Sequence, residues 1–214
     1  TYPKDELAKA KILAKNIGAR IKIIKTAELD NKSFTANSIK RCYFCKKELF
    51  AKLISIAGRN KLKFVLDASN VSDQKDYRPG NIAKKEFKVK SPLLVAGFNK
   101  EDIRKLSKKL GLSSWNKPSL PCLASRVPYG IRITAKLLRR IDQAEAYLNS
   151  LGFRQVRLRH YNGLCRIEVD KDDIHRLLSK RRAIVDRLKD LGYNYITVDL
   201  EGYRTGSLNE VINR

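Results

Sequence analysis

The chain has 214 residues, and its 46 Lys and Arg against 22 Asp and Glu give a formal net charge of +24 at pH 7. A chain of this length buries roughly 70% of its unfolded surface, and its four cysteines do not form the framework of a small disulfide-rich protein. The sequence shows no signal peptide and no apolar run of membrane length, so we expect a cytoplasmic protein without a membrane partner.

The positive charge favours anionic partners such as nucleotides, phosphates or RNA. The lysines are scattered along the chain rather than confined to one helix or tail, which is also typical of solvated basic faces. Charge alone therefore does not establish nucleic-acid binding. The sequence contains no Met and opens on Thr1, so we expect a processed product or a fragment whose start is missing.

Apolar spacing in the N-terminal half predicts alternating helices and strands. We expect a helix over 5–17, a strand over 20–24, a helix over about 43–58 and a short buried strand over 64–67. That last strand runs into a polar loop over 68–73. In an open α/β sheet, the loop that leaves the carboxyl end of a strand is where ligands bind.

Three side chains of this loop, Asp67, Asn70 and Asp73, have two readings. They are either ordinary turn residues or oxygen ligands for Mg²⁺ and phosphate, since hard cations take oxygen ligands. Their place after a buried strand favours the second.

Further along, Asn99 caps a predicted helix that runs to Lys109, and a loop rich in Pro, Ser and Gly over 113–130 indicates a domain junction. The remainder predicts a small α/β unit in the order α-β-β-α-β. Its elements are a helix over 134–151, strands over 153–159 and 164–169 joined by a turn at Asn162 and Gly163, a helix over 172–191 and a strand over 195–199.

The cysteines carry the clearest chemical signal. Cys42 and Cys45 form a Cys-x-x-Cys pair in Arg-Cys-Tyr-Phe-Cys at the start of a helix, and Cys122 lies between Pro121 and Arg126. The set is able to hold a metal or an iron–sulfur cluster, or to carry sulfur; Cys122 alone suits a nucleophile or sulfur donor. The alternatives are a buried pair at 42 and 45 and, for Cys165 on an alternating strand, a structural role.

Seven motifs occur in a fixed order: Arg-Cys-Tyr-x-Cys-Lys, Asp-x-Ser-Asn-x-x-Asp, Asp-Tyr-Arg-Pro-Gly, Ser-Pro-Leu, Lys-Pro-Ser-x-x-Cys-Leu-Ala-Ser-Arg-x-Pro-Tyr-Gly, Val-Arg-x-Arg-His and Asp-Leu-Glu-Gly-Tyr-Arg-x-Gly-Ser. Together they resemble the LarE-type ATP-dependent sacrificial sulfur transferases of the PP-loop ATP pyrophosphatase superfamily. The resemblance covers essentially the whole chain. It implies an α/β fold: an incomplete PP-loop (adenine nucleotide α-hydrolase-like) parallel-sheet domain over 1–127, then a small α/β domain over 128–214.

The resemblance also implies a reaction. The family adds sulfur to a pyridinium dicarboxylate mononucleotide, a precursor of the nickel-pincer nucleotide cofactor. ATP adenylates a substrate carboxylate, pyrophosphate leaves, and sulfur from a cysteine or a cluster attacks the acyl-adenylate to give a thiocarboxylate. A carboxylate is a poor electrophile, and a thiolate beside positive charge attacks it once adenylation supplies a leaving group.

Site residues follow from the same resemblance. The implied catalytic residues are Cys122, Arg126, Glu145, Arg157 and Arg159, with Arg126 supplying positive charge to the Cys122 thiol. The implied ATP and Mg²⁺ site comprises Asp67, Ser69, Asn70, Asp73, Asp76 and Arg78. The implied cluster ligands are Cys42, Cys45 and Cys122, which favour a reusable [4Fe–4S] version over single-use loss of the Cys122 sulfur. The alternative to a catalytic role for Glu145, Arg157 and Arg159 is a solvated charge cluster.

The sequence departs from the family at three points. The Ser-Gly-Gly-x-Asp-Ser pyrophosphate loop is absent, so we expect the chain as given to bind ATP poorly. Ala68 replaces the usual Gly, and Ser72 replaces the first Asp of the usual pair, which weakens the Mg²⁺ assignment.

Two other functions fit parts of the sequence. A tRNA thiolation enzyme suits the charge and the cysteines, but no RNA-binding module is visible and a nucleic-acid partner is not favoured. A truncated paralogue that acts as a binding module is the third reading. From the family we expect a homo-oligomer that binds a small nucleotide-like carboxylate and ATP.

Overall fold

The structure is a computed structural model that describes residues 1–75, 78–118 and 121–210, without the side chains of Lys4, Asp5 and Lys75. The chain forms two compact units: an N-terminal unit, Leu7–Lys117, and a C-terminal unit, Pro118–Arg214 with Thr1–Glu6. The implied family domain boundary between residues 127 and 128 stays a prediction.

Helices dominate the first part of the chain. They are α1 (Lys4–Asn16), α2 (Lys32–Thr35), α3 (Arg41–Arg59), α4 (Gly80–Glu86), α5 (Pro92–Val95) and α6 (Lys100–Lys109). The predicted helices over 5–17, 43–58 and 99–109 are confirmed. Helix α6 begins with a capping box in which Asn99 and Asp102 each bind the other's backbone N–H, and this satisfies donors that a helix start leaves open.

The core of the N-terminal unit lies between α3 and α4. Phe50, Ala83 and Val89 are buried there, and Tyr43 and Phe87 pack against them. The Tyr43 hydroxyl also donates to Glu86 at 3.1 Å, so the first turn of α3 is tied to the end of α4. This packing fixes the position of the Cys-x-x-Cys pair relative to α4.

The predicted strands of this unit are only partly present. Leu66 and Lys90 form an isolated parallel bridge, but Phe64 and Leu66 are 64% and 59% exposed, so the prediction of a buried strand over 64–67 is wrong. The predicted strand over 20–24 is also wrong, since those residues are not assigned to a strand and Ile21 and Ile23 are exposed. An alternating apolar segment forms a strand only where a partner strand accepts its backbone hydrogen bonds. The predicted parallel sheet stays a prediction.

The C-terminal unit has the predicted order of elements. They are α7 (Ala135–Ser150), β1 (Val156–Tyr161), β2 (Leu164–Val169), α8 (Ile174–Ser179), α9 (Arg181–Asp190) and β3 (Tyr195–Val198). The helix predicted over 172–191 is broken at Lys180 into α8 and α9. The sheet order is β1-β2-β3, with β1 antiparallel and β3 parallel to β2. The α/β class is therefore confirmed, with a small mixed sheet.

One face of this sheet is covered by α7. Ile141, Leu148, Leu158 and Ile167 are buried in the resulting core. In the part of the chain that the structure describes, no helix is both long and apolar enough to cross a membrane.

A glycine holds the segment after β3 against β2. Gly202 has φ +70°, and a Cβ there would lie 2.9 Å from the Val169 carbonyl oxygen. That oxygen accepts from Tyr203 N at 2.8 Å. Only Gly fits a left-handed backbone at so close an approach, which gives the Asp-Leu-Glu-Gly-Tyr-Arg motif a structural reason.

Candidate functional site

The register of the β1–β2 hairpin places arginines and a glutamate on one face of the sheet. Arg157 lies directly opposite Glu168, and Arg159 lies opposite Arg166. Since directly paired residues share a face and side chains alternate along each strand, these four side chains lie on the same face. Leu158 and His160 lie on the other face.

Arg159 and Glu168 form a buried two-pronged ion pair. Arg159 donates from Nε and Nη2 to the two carboxylate oxygens of Glu168 at 2.9 and 2.8 Å. The Ser207 hydroxyl accepts from Arg159 Nη2 at 2.7 Å and lies 3.2 Å from Glu168 Oε1. Such bidentate geometry fixes the orientation of the guanidinium as well as its position.

Arg126 and Glu145 form a second pair of the same kind. Arg126 donates from Nε and Nη2 to the Glu145 oxygens at 2.9 and 2.8 Å, and its side chain is fully buried. Glu145 also accepts from Leu158 N at 2.8 Å, which ties α7 to β1. Glu145, Arg157 and Arg159 are all buried, so the alternative of a solvated charge cluster is wrong.

The loop that carries Cys122 is anchored by both pairs. Arg126 Nη1 donates to the carbonyl oxygens of Pro121 at 2.7 Å and of Cys122 at 3.3 Å. Ser125 joins the two arginines, because its hydroxyl accepts from Arg126 at 3.0 Å and its carbonyl accepts from Arg159 at 2.8 Å. The half-buried Cys122 thus sits on a backbone held at two points.

The hydrogen bonds of Arg126 give it a positioning role. Its guanidinium donates to Glu145, the Ser125 hydroxyl and two backbone carbonyls of the cysteine loop. That Arg126 also supplies positive charge to the Cys122 thiol stays a prediction.

The pKa of Arg157 is affected by its burial and by the neighbouring charges. Burial, followed by the positive charge of Arg126, lowers the pKa of the Arg157 guanidinium, and Glu145 opposes this shift. The guanidinium lies 5.2 Å from the ring centre of Tyr203. Crowded, desolvated positive charge of this kind favours an anion nearby.

A second group of predicted residues lies in the N-terminal unit, at the carboxyl ends of the two bridged segments. Asp67 accepts from the hydroxyls of Ser91 at 2.6 Å and Ser69 at 2.7 Å, and Lys84 Nζ lies 3.7 Å away. Burial raises the pKa of the Asp67 carboxyl, but the bonds from Ser91 and Ser69 and the charge of Lys84 outweigh it, so the pKa lies below its ordinary value. Asp67 is therefore a strongly held carboxylate.

The next turn contains the other predicted nucleotide ligands. Asp73 accepts from Asn70 N at 3.1 Å and pairs with Arg78 at 2.9 Å. Asn70 is buried, and within the described residues its Oδ1 has no hydrogen-bond partner. This oxygen is available to a ligand. Asp76 lies outside the described residues.

The cysteine pair opens α3 as predicted. Cys42 is exposed and Cys45 is half-buried, so the alternative of a buried pair is wrong. The helix start is fixed by the buried Arg41, whose Nη1 donates to Asn37 Oδ1. Gly80 permits a close approach, since a Cβ there would lie 3.0 Å from Lys46 Cγ.

The carboxylates and cysteines of these groups are the candidate metal ligands. Among the residues that the structure describes, no group of three or more His, Cys, Asp or Glu side chains is placed to hold a metal ion. The oxygens of Asp67 and Asp73 already bind serines, lysine or arginine. The three-cysteine cluster and the Mg²⁺ site that the resemblance implies therefore stay predictions.

Cys165 behaves as predicted for a structural cysteine. It is fully buried on the α7 side of the sheet, and burial raises the pKa of its thiol to about 12. A thiol of this kind is inert.

The sequence analysis did not identify several residues of the two groups described above. They are Ser91 and Lys84 around Asp67, and Ser125, Glu168 and Ser207 around Arg159. Two of these residues stand in quoted motifs, Ser91 in Ser-Pro-Leu and Ser207 in Arg-x-Gly-Ser. Glu168 was within reach, because pairing the strands across Asn162 and Gly163 places it on the face of Arg157 and Arg159.

The chain was compared with known proteins. No family model matches it. It is 41% identical over 212 residues to an uncharacterized protein of Synechocystis sp., covering 98% of this chain and 79% of that protein. It is 30% identical over 199 residues to an uncharacterized protein of Methanocaldococcus jannaschii, covering 93% and 76%.

A third relative has a named activity. The pyridinium-3,5-bisthiocarboxylic acid mononucleotide synthase of Lactiplantibacillus plantarum is 35% identical over 213 residues, which cover all of this chain and 77% of that protein. The matched residues span both compact units. The chain belongs to the LarE-type family of that synthase.

Proposed function

We propose that this protein is an ATP-dependent sulfur transferase that converts a carboxylate of a pyridinium dicarboxylate mononucleotide to a thiocarboxylate, in biosynthesis of the nickel-pincer nucleotide cofactor. Its family relationship to the synthase supports this proposal. The observation that carries it is the anchoring of the Cys122 backbone by Arg126, within a buried arginine–glutamate cluster. A half-buried thiol on a loop whose backbone is held in place suits attack on an acyl-adenylate.

The proposed activation step uses ATP. A carboxylate oxygen of the substrate attacks the α-phosphorus, the bond from that phosphorus to the bridging oxygen breaks, and pyrophosphate leaves. Candidate contacts for the nucleotide are Ser69, Asn70, Asp73 and Arg78, with the unpartnered Asn70 Oδ1 as an acceptor for a ligand donor. Asp67 acts by positioning, since its oxygens are held by Ser69 and Ser91.

The proposed sulfur-transfer step uses Cys122. Its thiolate attacks the acyl carbon, the bond to the AMP oxygen breaks, and a thioester to Cys122 forms as AMP leaves. Loss of the Cys122 Cα proton then drives cleavage of its Cβ–S bond, which releases the thiocarboxylate and leaves dehydroalanine. This route needs no external sulfur donor and permits one turnover for each protein molecule.

The buried cluster divides into positioning and binding roles. Arg126 and Arg159 hold the cysteine loop, with their charges paired to Glu145 and Glu168. We assign Arg157, which is buried on the same face of the sheet as Arg159 and Glu168, to the phosphate or carboxylate of the substrate, which arginine recognises well. The reusable version, in which Cys42, Cys45 and Cys122 hold a [4Fe–4S] cluster, stays a prediction, as do Mg²⁺ dependence, homo-oligomerisation and a cytoplasmic location.

The test supplies the dicarboxylate mononucleotide and ATP to the chain, with a synthetic acyl-adenylate of the substrate in a parallel reaction. The parallel reaction reads sulfur transfer independently of adenylation. We expect thiocarboxylate by mass spectrometry and an intact-mass loss equivalent to H₂S located at residue 122. Cys122→Ser should abolish both, while Cys165→Ala should retain them.

Two results separate the versions of this chemistry. The reusable version would be established by two results together. The protein mass stays unchanged after the reaction, and Cys42→Ser loses both bound iron and thiocarboxylate formation. Thiocarboxylate formation that survives in Cys122→Ser would overturn the role of Cys122 in both.

A further inference from the structure

A basic cavity lies on the face of the C-terminal sheet that carries His160, and the proposed reaction does not use it. It has a volume of about 380 Å³ and lies where the start of α7 meets the end of β1. It is lined by Ile131, Arg132, Thr134, Lys136, Leu137, Arg140, His160 and Asn162. His160 alternates with Arg159 along β1, so His160 and the Arg159–Glu168 pair lie on opposite faces of the sheet.

The lining is strongly cationic. Three of its residues carry positive charge, and none of its lining residues is acidic. Neither the Arg132 nor the Lys136 side chain has a hydrogen bond or ion pair within the described chain. Uncompensated cations in a concave wall concentrate positive potential and attract an anion.

The start of α7 adds to this potential. Thr134 caps the helix by accepting from Leu137 N at 3.1 Å, and the helix runs for 16 residues to Ser150. The first-turn N–H groups of such a helix lie at the positive end of its dipole, which stabilises phosphate groups.

His160 provides an independent sign of a ligand. It is 6% exposed, and among the described residues its Nδ1 has no hydrogen-bond partner. Buried polar atoms almost always have a partner, so an orphan in a cavity wall calls for an explanation. The groups packed against this imidazole are Arg140, the Tyr193 ring at 5.7 Å and Cys165 on the paired strand.

We propose that this cavity binds the phosphate group of a small phosphorylated molecule. Arg132, Lys136 and the start of α7 hold the phosphate oxygens, and His160 responds to the added negative charge. The volume exceeds that of a single phosphate, and Ile131 and Leu137 offer an apolar wall for the rest of a ligand. The site is independent of the proposed function because it shares no residue with it.

The test uses NMR of the histidine side chains in the intact chain. The sequence contains two histidines, and His175 is exposed on α8, so it serves as an internal control. Inorganic phosphate, ribose 5-phosphate and ribose are titrated separately in phosphate-free buffer. We expect both phosphates to shift the His160 resonances saturably and to raise its pKa, with His175 unmoved and ribose inert. Tighter binding of ribose 5-phosphate than of phosphate identifies a phosphorylated molecule as the ligand.

Matched substitutions locate the site. Arg132→Gln with Lys136→Gln should weaken phosphate binding by about tenfold or more, since charge-assisted hydrogen bonds are lost. Arg139→Gln removes one positive charge from an exposed neighbour outside the cavity; it is the match for Arg132→Gln alone and should leave the affinity within about twofold. Arg140 is left intact because it also contacts Gly192 and the Tyr193 ring.

Four results would overturn the proposal: no His160 shift with either phosphate, an equal shift with ribose, an equal loss of affinity in Arg132→Gln and Arg139→Gln, or a response only to an RNA oligonucleotide titrated in parallel. The last would instead indicate a nucleic-acid surface.

Discussion

Arg126 and Glu145 face each other across 19 residues of sequence and form two parallel hydrogen bonds, of 2.9 and 2.8 Å, in the interior of the C-terminal unit. The same guanidinium reaches the carbonyl oxygen of Cys122. One buried ion pair therefore connects α7 to the loop that carries the proposed sulfur donor. A buried pair adds little net stability over an apolar pair, but its loss leaves a buried charge without a partner.

The first prediction concerns this pair. Glu145→Gln keeps the side-chain shape and leaves Arg126 as an uncompensated buried cation, so the C-terminal unit should lose about 3 kcal/mol of unfolding free energy. Native-state hydrogen exchange of peptides from α7 and β1 measures that loss directly. Glu101→Gln, which breaks the exposed pair with Lys105, is the matched control and should leave the exchange unchanged. Equal exchange in the two variants would contradict the prediction.

The second prediction concerns the close approach at Gly202. Gly202→Ala combines a left-handed backbone with a Cβ 2.9 Å from the Val169 oxygen. Gly130→Ala in the same unit has a similar φ, +84° against +70°, but nothing within 4 Å. Both should lose about 1 kcal/mol for the backbone conformation, and Gly202→Ala should lose more because β2 or the loop has to move. Urea denaturation measures the loss of unfolding free energy in each variant, and hydrogen exchange of β2 peptides locates the difference. Equal losses would show that the contact with the Val169 oxygen has no energetic cost.

The third prediction concerns thiol reactivity. Iodoacetamide at pH 8 should modify Cys122 and Cys42 in the folded protein and spare Cys165, because the Cys165 thiol is buried with a pKa of about 12 and only roughly one molecule in ten thousand is ionised. Peptide mass spectrometry reads each site. Unfolding in urea should expose Cys165 to modification, which is the positive control. Rapid modification of Cys165 in the folded state would show that the sheet opens locally.

The fourth prediction concerns pH. Burial, followed by the charge of Arg140, lowers the pKa of His160, so the folded state holds the neutral imidazole while the unfolded chain binds a proton near pH 6.5. The unfolding free energy that neutral His160 contributes is therefore fully present above about pH 6.5. It is lost as the pH falls toward the lowered pKa of the folded state. In phosphate-free buffer, His160→Gln should flatten the fall in stability of the C-terminal unit between about pH 6.5 and 5. An unchanged pH profile in this variant would assign the fall to other groups.

Local sequence signals were sufficient for much of the fold. The Asn99 cap of α6, the long helix before β1 and the hairpin turn at Asn162 were all predicted, because caps and turns depend on neighbours along the chain. The strand over 20–24 failed for the opposite reason. Its alternating isoleucines fit a strand, but a strand needs hydrogen bonds from a distant segment, and these residues are not assigned to one.

The candidate site divides in the same way. The sequence alone determined the family, and the resemblance implied the site residues: the three cysteines, Arg126, Glu145 and the two arginines of β1. Only the tertiary structure decided what each side chain does. Hairpin register paired Arg159 with Glu168, and helix packing turned Arg126 toward Glu145 and the Cys122 carbonyl rather than the thiol. The physical reason is that buried charges require partners, and partners distant in sequence are chosen by packing.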